Sequence, residues 1–511
     1  MIIPSQIFSD QNKKLKNALL LSSVIGFYLF CAYKSLGYLQ EDEHYQIIEF
    51  ANYKLGVVSY NGLAWEFKAM VRPGCQPLIC YVIFKTVKSI GIADGYTLIF
   101  ILRALTAILS VFIISSFIAV YKKYVTPSWK AIYIAASYLL WFLPYINIRF
   151  SSENLSGLML VYSLVLLDKS NICRNTKLTI LTGIVLGFSI LFRFQSLLVI
   201  LGMVPWLLLV RKAMLKNVLN LIFGIALVFI LGVLIDYWLY GAWTISALRY
   251  FDVNILKGVA SNFGTEPFYQ YIIYILQAPG LFGAVILISF VIVLIYYPKN
   301  ILVWMCVPFL IAHSIIPHKE LRFLFPLINL CPLILVLGLQ KTMAWLRKRV
   351  SHKICLIWWK VGILFFAIIN IFGLYAISST SASGGRFSVA AYIHKHYDKN
   401  KIQIRLVGSA YPFIDYDFLQ TSYYSIKEYK KIDQAVNIYH KEVISRPASD
   451  GRKVLLILNA NEIAGPKELL YLKSLGLKKV YQSIPDFTMF LYNFYNPKLK
   501  SQQTYIYQKV P

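Results

Sequence analysis

The chain has 511 residues, 58% of them hydrophobic and only 14% charged, with a mean hydropathy of +0.60; this excludes an ordinary soluble globular protein and marks a polytopic membrane protein. The formal charge of +28 does not indicate a nucleic-acid partner, because Lys and Arg fall in short clusters between apolar runs of roughly 15 to 25 residues, the positive-inside pattern of a bilayer-spanning chain. Of the seven cysteines only Cys75 and Cys80 are close together, and most of the others, Cys173 among them, lie in or beside apolar runs, so neither a disulfide framework nor a zinc site is expected.

Lys13, Lys14 and Lys16 precede a first apolar run over 17–38, which is too long for a signal-peptide core and predicts an uncleaved membrane helix. With the basic clusters assigned to the cytoplasm, this helix opens on the outer side into Glu41-Asp42-Glu43-His44-Tyr45-Gln46-Ile47-Ile48-Glu49, which holds four of the chain's 23 acidic residues. Residues 76–90 are apolar but carry Lys85 and Lys88, and predict an interfacial or re-entrant segment. Further spans are expected near 96–120, 129–148, 153–167, 178–192, 195–210, 218–239, 279–297, 301–316, 323–339 and 361–377. With the first, that makes about eleven.

From Ser378 the composition changes to that of a soluble domain of roughly 130 residues. A Ser/Gly linker over 378–385 leads to an amphipathic helix at 387–397 and buried strands at 402–408 and 454–458. The expected fold class is therefore all-α polytopic membrane protein with a small C-terminal α/β domain. A multispanning catalytic domain would occupy 1–377, with its first outer loop at 39–95, and the extracytoplasmic domain 378–511.

This topology puts Asp42, Glu43, Arg72, Arg149, Glu153, Arg193, the 252–266 loop and the turn His318-Lys319-Glu320-Leu321-Arg322 in one outer layer. Any one of these side chains alone could simply snorkel to the interface. Together they suit a site for an amphipathic substrate with an anionic head. Asp42 or Glu43 is either a hydrated helix end or a general base within reach of an acceptor hydroxyl. Glu49, seven residues from Asp42 and so about two helical turns on, is expected on the same face. His318, Lys319 and Arg322 are either loop charges or a phosphate clamp, with Glu320 fixing the cations. The sequence has no P-loop, no GxGxxG after a strand, no HExxH and no GxSxG, and no spaced ligand set for a metal.

The motifs Asp42-Glu43-His44-Tyr45-Gln46 with Glu49, Trp65-Glu66-Phe67, and Arg72 with Pro77 resemble the first outer loop of the multispanning mannosyltransferases of glycosyltransferase family 22, within the GT-C class. Arg103-Ala104-Leu105 with Ser110, Phe263-Gly264-Thr265-Glu266-Pro267, and His318-Lys319-Glu320-Leu321-Arg322-Phe323 resemble further blocks, most like those of the GPI mannosyltransferase branch. The resemblance implies a polyprenyl (dolichyl-type) phosphate-linked mannose as donor and inverting transfer to a hydroxyl of a glycan or glycolipid acceptor. It puts the base on Asp42 with Glu43 beside it, and turns His318, Lys319 and Arg322 towards the donor phosphate. His44, Gln46, Glu49, Trp65, Glu66, Arg72, Arg193, Gly264, Thr265 and Glu320 become substrate-binding or supporting residues. Neither a metal nor another cofactor is called for, and the expected partners are the lipid-phosphate donor, the acceptor and membrane lipid. Where the family often has Arg-Pro-Thr, this chain has Arg193-Phe194-Gln195.

Two other functions fit part of this pattern. A GT-C enzyme with another sugar, or with a lipid or protein acceptor, would carry the same motifs. A lipid or glycan transporter would place polar groups deep in the bilayer, and Arg103, well inside the second span, is its main support. The Lys/Ile/Asn/Tyr-rich composition points to a bacterial inner membrane with a periplasmic active face, the alternative being the endoplasmic reticulum membrane with a lumenal one.

Overall fold

A computed structural model describes residues 4–171, 174–382, 385–407, 425–429, 452–463, 465–495 and 503–509. The expectations that touch Cys173, linker residues Ser383 and Gly384, and Gly408 lie outside the described residues. The chain is a helical membrane protein with a small C-terminal sheet. By length and apolarity, five described helices can cross a bilayer: Leu15–Lys34, Gly95–Tyr124, Leu215–Tyr240, Leu321–Leu346 and His352–Ser379. A sixth is added if Leu281–Tyr296 and Ile301–Ile315, bent by 119° at their junction, count as one span.

The expected total of about eleven is not reached by that measure, because several apolar stretches form short or broken helices. Thr176–Phe192 and Phe194–Val210 are shorter, and the stretch near 130–148 divides into Lys130–Leu139 and Phe142–Asn147. At that break Leu140 turns to an extended ψ of 121°, and one amide satisfies the backbone freed there. Asn370 Oδ1 accepts from the Trp141 N–H at 2.8 Å and Asn370 Nδ2 donates to the Leu139 carbonyl at 2.6 Å. A broken helix at membrane depth requires such a partner, since no water is at hand. Helices Thr176–Phe192 and Leu215–Tyr240 approach closely through Gly183 and Gly224: a Cβ on Gly183 would stand 2.1 Å from the Leu221 carbonyl oxygen.

The basic clusters gather at one end of the helices. Lys123 pairs with Asp168 at 2.5 Å, Trp206 Nε1 donates to the Lys299 carbonyl at 2.8 Å, and Arg211 lies over the Trp206 ring. Cys75–Ser89 is a helix of 15 residues. At about 22 Å it is shorter than the hydrocarbon core. It buries Cys80 and Phe84 against Ile47, Ile48, Leu98 and Leu102 and leaves Lys85 exposed, as an interfacial helix does.

The C-terminal sheet comprises β1 (Ile402–Val407), β2 (Ser425–Tyr429), β3 (Lys453–Asn459), β4 (Leu477–Gln482) and β5 (Thr504–Lys509), in the order β2-β1-β3-β5-β4. β1 pairs parallel with β2 and β3, while β5 runs antiparallel to β3 and β4. Alternate residues feed two separate cores. Ile404, Leu406, Leu455 and Ile457 meet Val389 and Ile393 of helix Arg386–His396; Leu456 and Leu458 meet Leu472 of helix Pro466–Ser474. The sheet domain docks on the ends of the membrane helices near Leu36 and Asp94: Ala382 N–H donates to the Leu36 carbonyl at 2.8 Å, His394 pairs with Asp94 at 2.8 Å, and Phe387 packs edge-on against Tyr38.

Candidate active site at the outer ends of the helices

The chain leaves the first span through Ser35–Gln40 and enters a π-helical turn, Glu43–Ile48, with Asp42 as its N-cap. A π-turn stacks residues five apart rather than three or four. That phase decides where each acidic side chain goes.

Asp42 faces a cluster of arginines. Its Oδ2 lies 2.7 Å from an Arg322 nitrogen and 3.5 Å from Arg72, and its Oδ1 accepts from Gln46 Nε2 at 2.9 Å. Gln46 donates also to Glu66 Oε1 at 2.8 Å, so one amide ties the two carboxylates. The Asp42 side chain keeps 26% of its surface exposed. Burial pushes its carboxyl up, but Arg72 and then Arg322 outweigh it and hold Asp42 below the usual carboxylate range. Glu66 goes the other way, burial raising it while Arg72 opposes.

Arg322 grips Glu320 with Nε at 2.7 Å and its other terminal nitrogen at 2.9 Å while holding Asp42, the forked use that a guanidinium permits. Burial raises the Glu320 carboxyl, yet the Arg322 hydrogen bond and charge bring it below its usual value. Glu153, buried, pairs with Arg193 at 2.6 Å and lies 3.9 Å from Arg322 Nε. Arg193 and Arg322 both lie against the Phe323 ring. Beside them lies a cleft whose polar wall is made by Gln46, Arg72, Gln76, Arg193, Gln195 and Tyr250 and whose apolar wall includes Ile47, Val71 and Phe192. Arg72 lies over the Tyr250 ring, Gln195 donates to the Tyr250 hydroxyl at 2.6 Å, and Ser152 donates to Gln76 Oε1 at 2.7 Å.

Other expected residues are positioned differently. Glu43 is buried and turned away: it accepts from the Leu39 N–H at 3.1 Å and lies 3.6 Å from Arg149. Burial pushes its carboxyl up despite Arg149. Glu49 does not share a face with Asp42 at the site; it pairs at 2.8 Å with His44, five residues back, as the π-turn dictates. Lys319 is buried, with its ammonium donating to the Ile316 carbonyl at 2.6 Å and the Glu266 carbonyl at 3.0 Å. It clips two outer loops together, a junction completed by the Glu266 N–H bond to the Pro317 carbonyl and by His318, which lies 2.9 Å from the Gly264 carbonyl and 3.1 Å from Glu320. Gly264, at φ 107° and ψ 151°, occupies backbone space that only glycine takes readily. Phe263 stacks on Trp65, and Thr265 is exposed on the same loop.

The structure thus gathers Asp42, Gln46, Glu66, Arg72, Glu320 and Arg322 around one point, with Arg193 beside them through Glu153. It sets Glu43, His44 and Glu49 in a second group and gives Lys319 a loop-holding position. Glu153, which the topology places in the outer layer without a role, is the residue that joins Arg193 to Arg322. Tyr250, on the short helix Ser246–Phe251, had no signal in the sequence, being one of the chain's 37 tyrosines. Among the described residues no three His, Cys, Asp or Glu side chains gather as a metal site would need. Chemically, the cluster offers an ionised, half-buried carboxylate flanked by cations, fit to receive a proton beside a group that gains negative charge.

Residues 19–406 match the model of the Alg9-like mannosyltransferase family. GPI mannosyltransferase 3 of Candida albicans is 29% identical over 300 residues, covering 57% of this chain and 57% of that protein. GPI alpha-1,2-mannosyltransferase 3 of Danio rerio is 24% identical over 311 residues, covering 60% of this chain and 56% of its own. The match therefore spans a little over half the length of these relatives. Among solved structures, ArnT from Cupriavidus metallidurans bound to undecaprenyl phosphate aligns over 96% of this chain and 98% of its own, with a TM-score of 0.46 and 11% identity.

Proposed function

The chain belongs to the Alg9-like mannosyltransferase family, and from that premise we propose that it transfers mannose, with inversion, from a polyprenyl-phosphate donor to a hydroxyl of a glycan or glycolipid. The observation that carries this reading is the setting of Asp42, a partly exposed carboxylate held ionised between Arg72 and Arg322.

Asp42 is the base, and Gln46 aims it. A carboxylate held below its usual range is a weak base, but the acceptor hydroxyl becomes acidic as its bond to the sugar forms, so late proton transfer suffices. Arg322 is the group that meets the leaving phosphate. As the glycosidic bond breaks, the sugar gains positive charge and the phosphate negative charge, and a phosphate beside Arg322 competes with Asp42 for the guanidinium. Leaving-group protonation is not needed, so one base does the work that takes two carboxylates in a glycosidase. Lys319 supports the site indirectly by fixing the turn that carries Glu320 and Arg322. The cleft beside Arg72, Gln76, Gln195 and Tyr250 receives sugar hydroxyls, for which its amides and phenol are suitable partners.

The relatives' names support a GPI-type glycolipid as acceptor and an α-1,2 linkage as product. Those relatives are eukaryotic and lend no support to a bacterial inner membrane, so the compartment proposed is the endoplasmic reticulum membrane with a lumenal site. The test is incubation of the purified full chain with polyprenyl-phosphate mannose and GPI-type glycolipids, products being read by mass spectrometry. A product one hexose heavier, absent with Asp42→Asn, is expected; no transfer from any polyprenyl-phosphate sugar overturns the proposal.

A further inference from the structure

Behind the acidic motif lies a second recess, between the exit of the first span, the outer part of helix Gly95–Tyr121 and the docked helix Arg386–His396. Its walls are largely apolar, including Ile99, Leu102, Phe150 and Phe387, but two guanidiniums, the Glu43 carboxylate and the His44 ring also line it. Arg149, 1% exposed, donates to the carbonyls of Ser35 at 3.0 Å and Gly37 at 2.7 Å and lies 3.6 Å from Glu43. Arg103, 3% exposed, donates to the same Gly37 carbonyl at 3.2 Å, and its Nε is buried with no hydrogen-bond partner.

Arg103 stands eight residues into its helix, about 12 Å below the helix's outer end. No carboxylate lies within 4.0 Å of it among the described residues. A guanidinium has five N–H donors and keeps its charge in proteins, so a single neutral acceptor leaves most of its demand unmet. The charges around the recess do not balance. His44 and Glu49 answer one another, which leaves two arginines facing Glu43 alone. Burying an unpaired charge is strongly unfavourable, and a second anion at Arg103 would remove that penalty. The planar fork of arginine matches phosphate oxygens, and the apolar walls at this depth suit a hydrocarbon chain.

We propose that this recess binds the phosphate of a lipid, with its charge on Arg103 and Arg149 and its chain along Ile99, Leu102 and Phe150. The site is distinct from the one around Asp42; its occupation by a bilayer lipid does not depend on the transferase reading, whereas its occupation by an acceptor rests on that reading. The phosphate belongs either to a bilayer phospholipid or to the phosphodiester of a glycolipid acceptor.

The experiment uses the purified full chain in detergent beside Arg103→Met and the recess-filling Ile99→Trp, which keeps both arginines and carries the test if Arg103→Met does not fold. Native mass spectrometry counts retained phosphatidylinositol after exchange, and separately counts binding of a phosphate-bearing glycolipid and of its dephosphorylated form; neither arm needs turnover. Retention about tenfold weaker in both variants is the expected result for the lipid that belongs there. Weakening for phosphatidylinositol assigns the recess to bilayer lipid. Weakening for the glycolipid alone, absent with the dephosphorylated form, assigns it to the acceptor. Equal binding of both lipids by all three proteins overturns the proposal.

Discussion

Asp42 and Glu43 are adjacent in the chain and live in opposite surroundings. Asp42 keeps 26% of its side chain exposed, faces two arginines and is held below the usual carboxylate range. Glu43 keeps 11%, faces Arg149 at 3.6 Å and a backbone N–H, and is pushed up by burial. Their difference teaches that exposure and the number of facing cations, rather than carboxylate chemistry, separate a group able to serve as a base from one that anchors the loop. The arginines divide similarly, since Arg322 is shared between carboxylates around an accessible point while Arg149 is buried and turned to the carbonyls of Ser35 and Gly37 and to Glu43.

The largest effect that tests this contrast is expected from Asp42→Asn, which keeps the shape and removes the proposed base. Transfer should fall by roughly 10²- to 10⁴-fold with unchanged membrane insertion, measured as the single-turnover rate. A fall of only twofold or so would move the base elsewhere. Arg322→Lys should cost about 10- to 100-fold in kcat, because a point charge cannot hold Asp42, Glu320 and a phosphate as a fork does. If Lys there is as fast as Arg, the fork is irrelevant to the leaving group. Glu43→Gln is expected to change the rate by less than about threefold, since the amide oxygen still accepts from Leu39 and Arg149 keeps its carbonyls. A loss equal to that of Asp42→Asn would erase the distinction between the neighbours.

The two carboxylates also predict opposite pH behaviour in thermal unfolding. Asp42 has a depressed folded value, so its contribution is complete above the ordinary carboxylate pKa and is lost as pH falls through the folded one. Glu43 has a raised folded value, so its contribution is complete below the ordinary pKa and is lost as pH rises through the folded one. Asp42→Asn should therefore flatten the acid side of the Tm profile and Glu43→Gln the side above it; the reverse assignment would contradict the structure. The smallest effect is expected from Thr265→Ala on its exposed loop, within about 0.5 kcal/mol of the parent in unfolding. A larger change would mean that Thr265 makes a contact that its exposure does not show.

Much of the site is legible along the chain. Charge and apolar length put Asp42, Arg72, Arg193 and Arg322 in one layer, and the structure brings three of them together and links the fourth through Glu153. Helix Arg386–His396 and strands β1 and β3 fall where alternation and composition put them. Glu49 departs from its expected face because seven residues mean two turns only at α-helical pitch, and the π-turn shifts the phase so that His44 becomes its partner. Lys319 departs for another reason: a lysine in a turn looks free in sequence, whereas its ammonium is consumed by two carbonyls of separate loops.

By itself the sequence determined the features that composition and local pattern carry: a membrane chain, the side on which its charges gather, the small sheet domain and the chemistry available in the outer layer. Only the tertiary structure decided which carboxylate meets which cation. Pairing across 280 positions, as between Asp42 and Arg322, depends on helix phase, on breaks such as that at Leu140, and on burial, and those are properties of packed helices that no local stretch of residues carries.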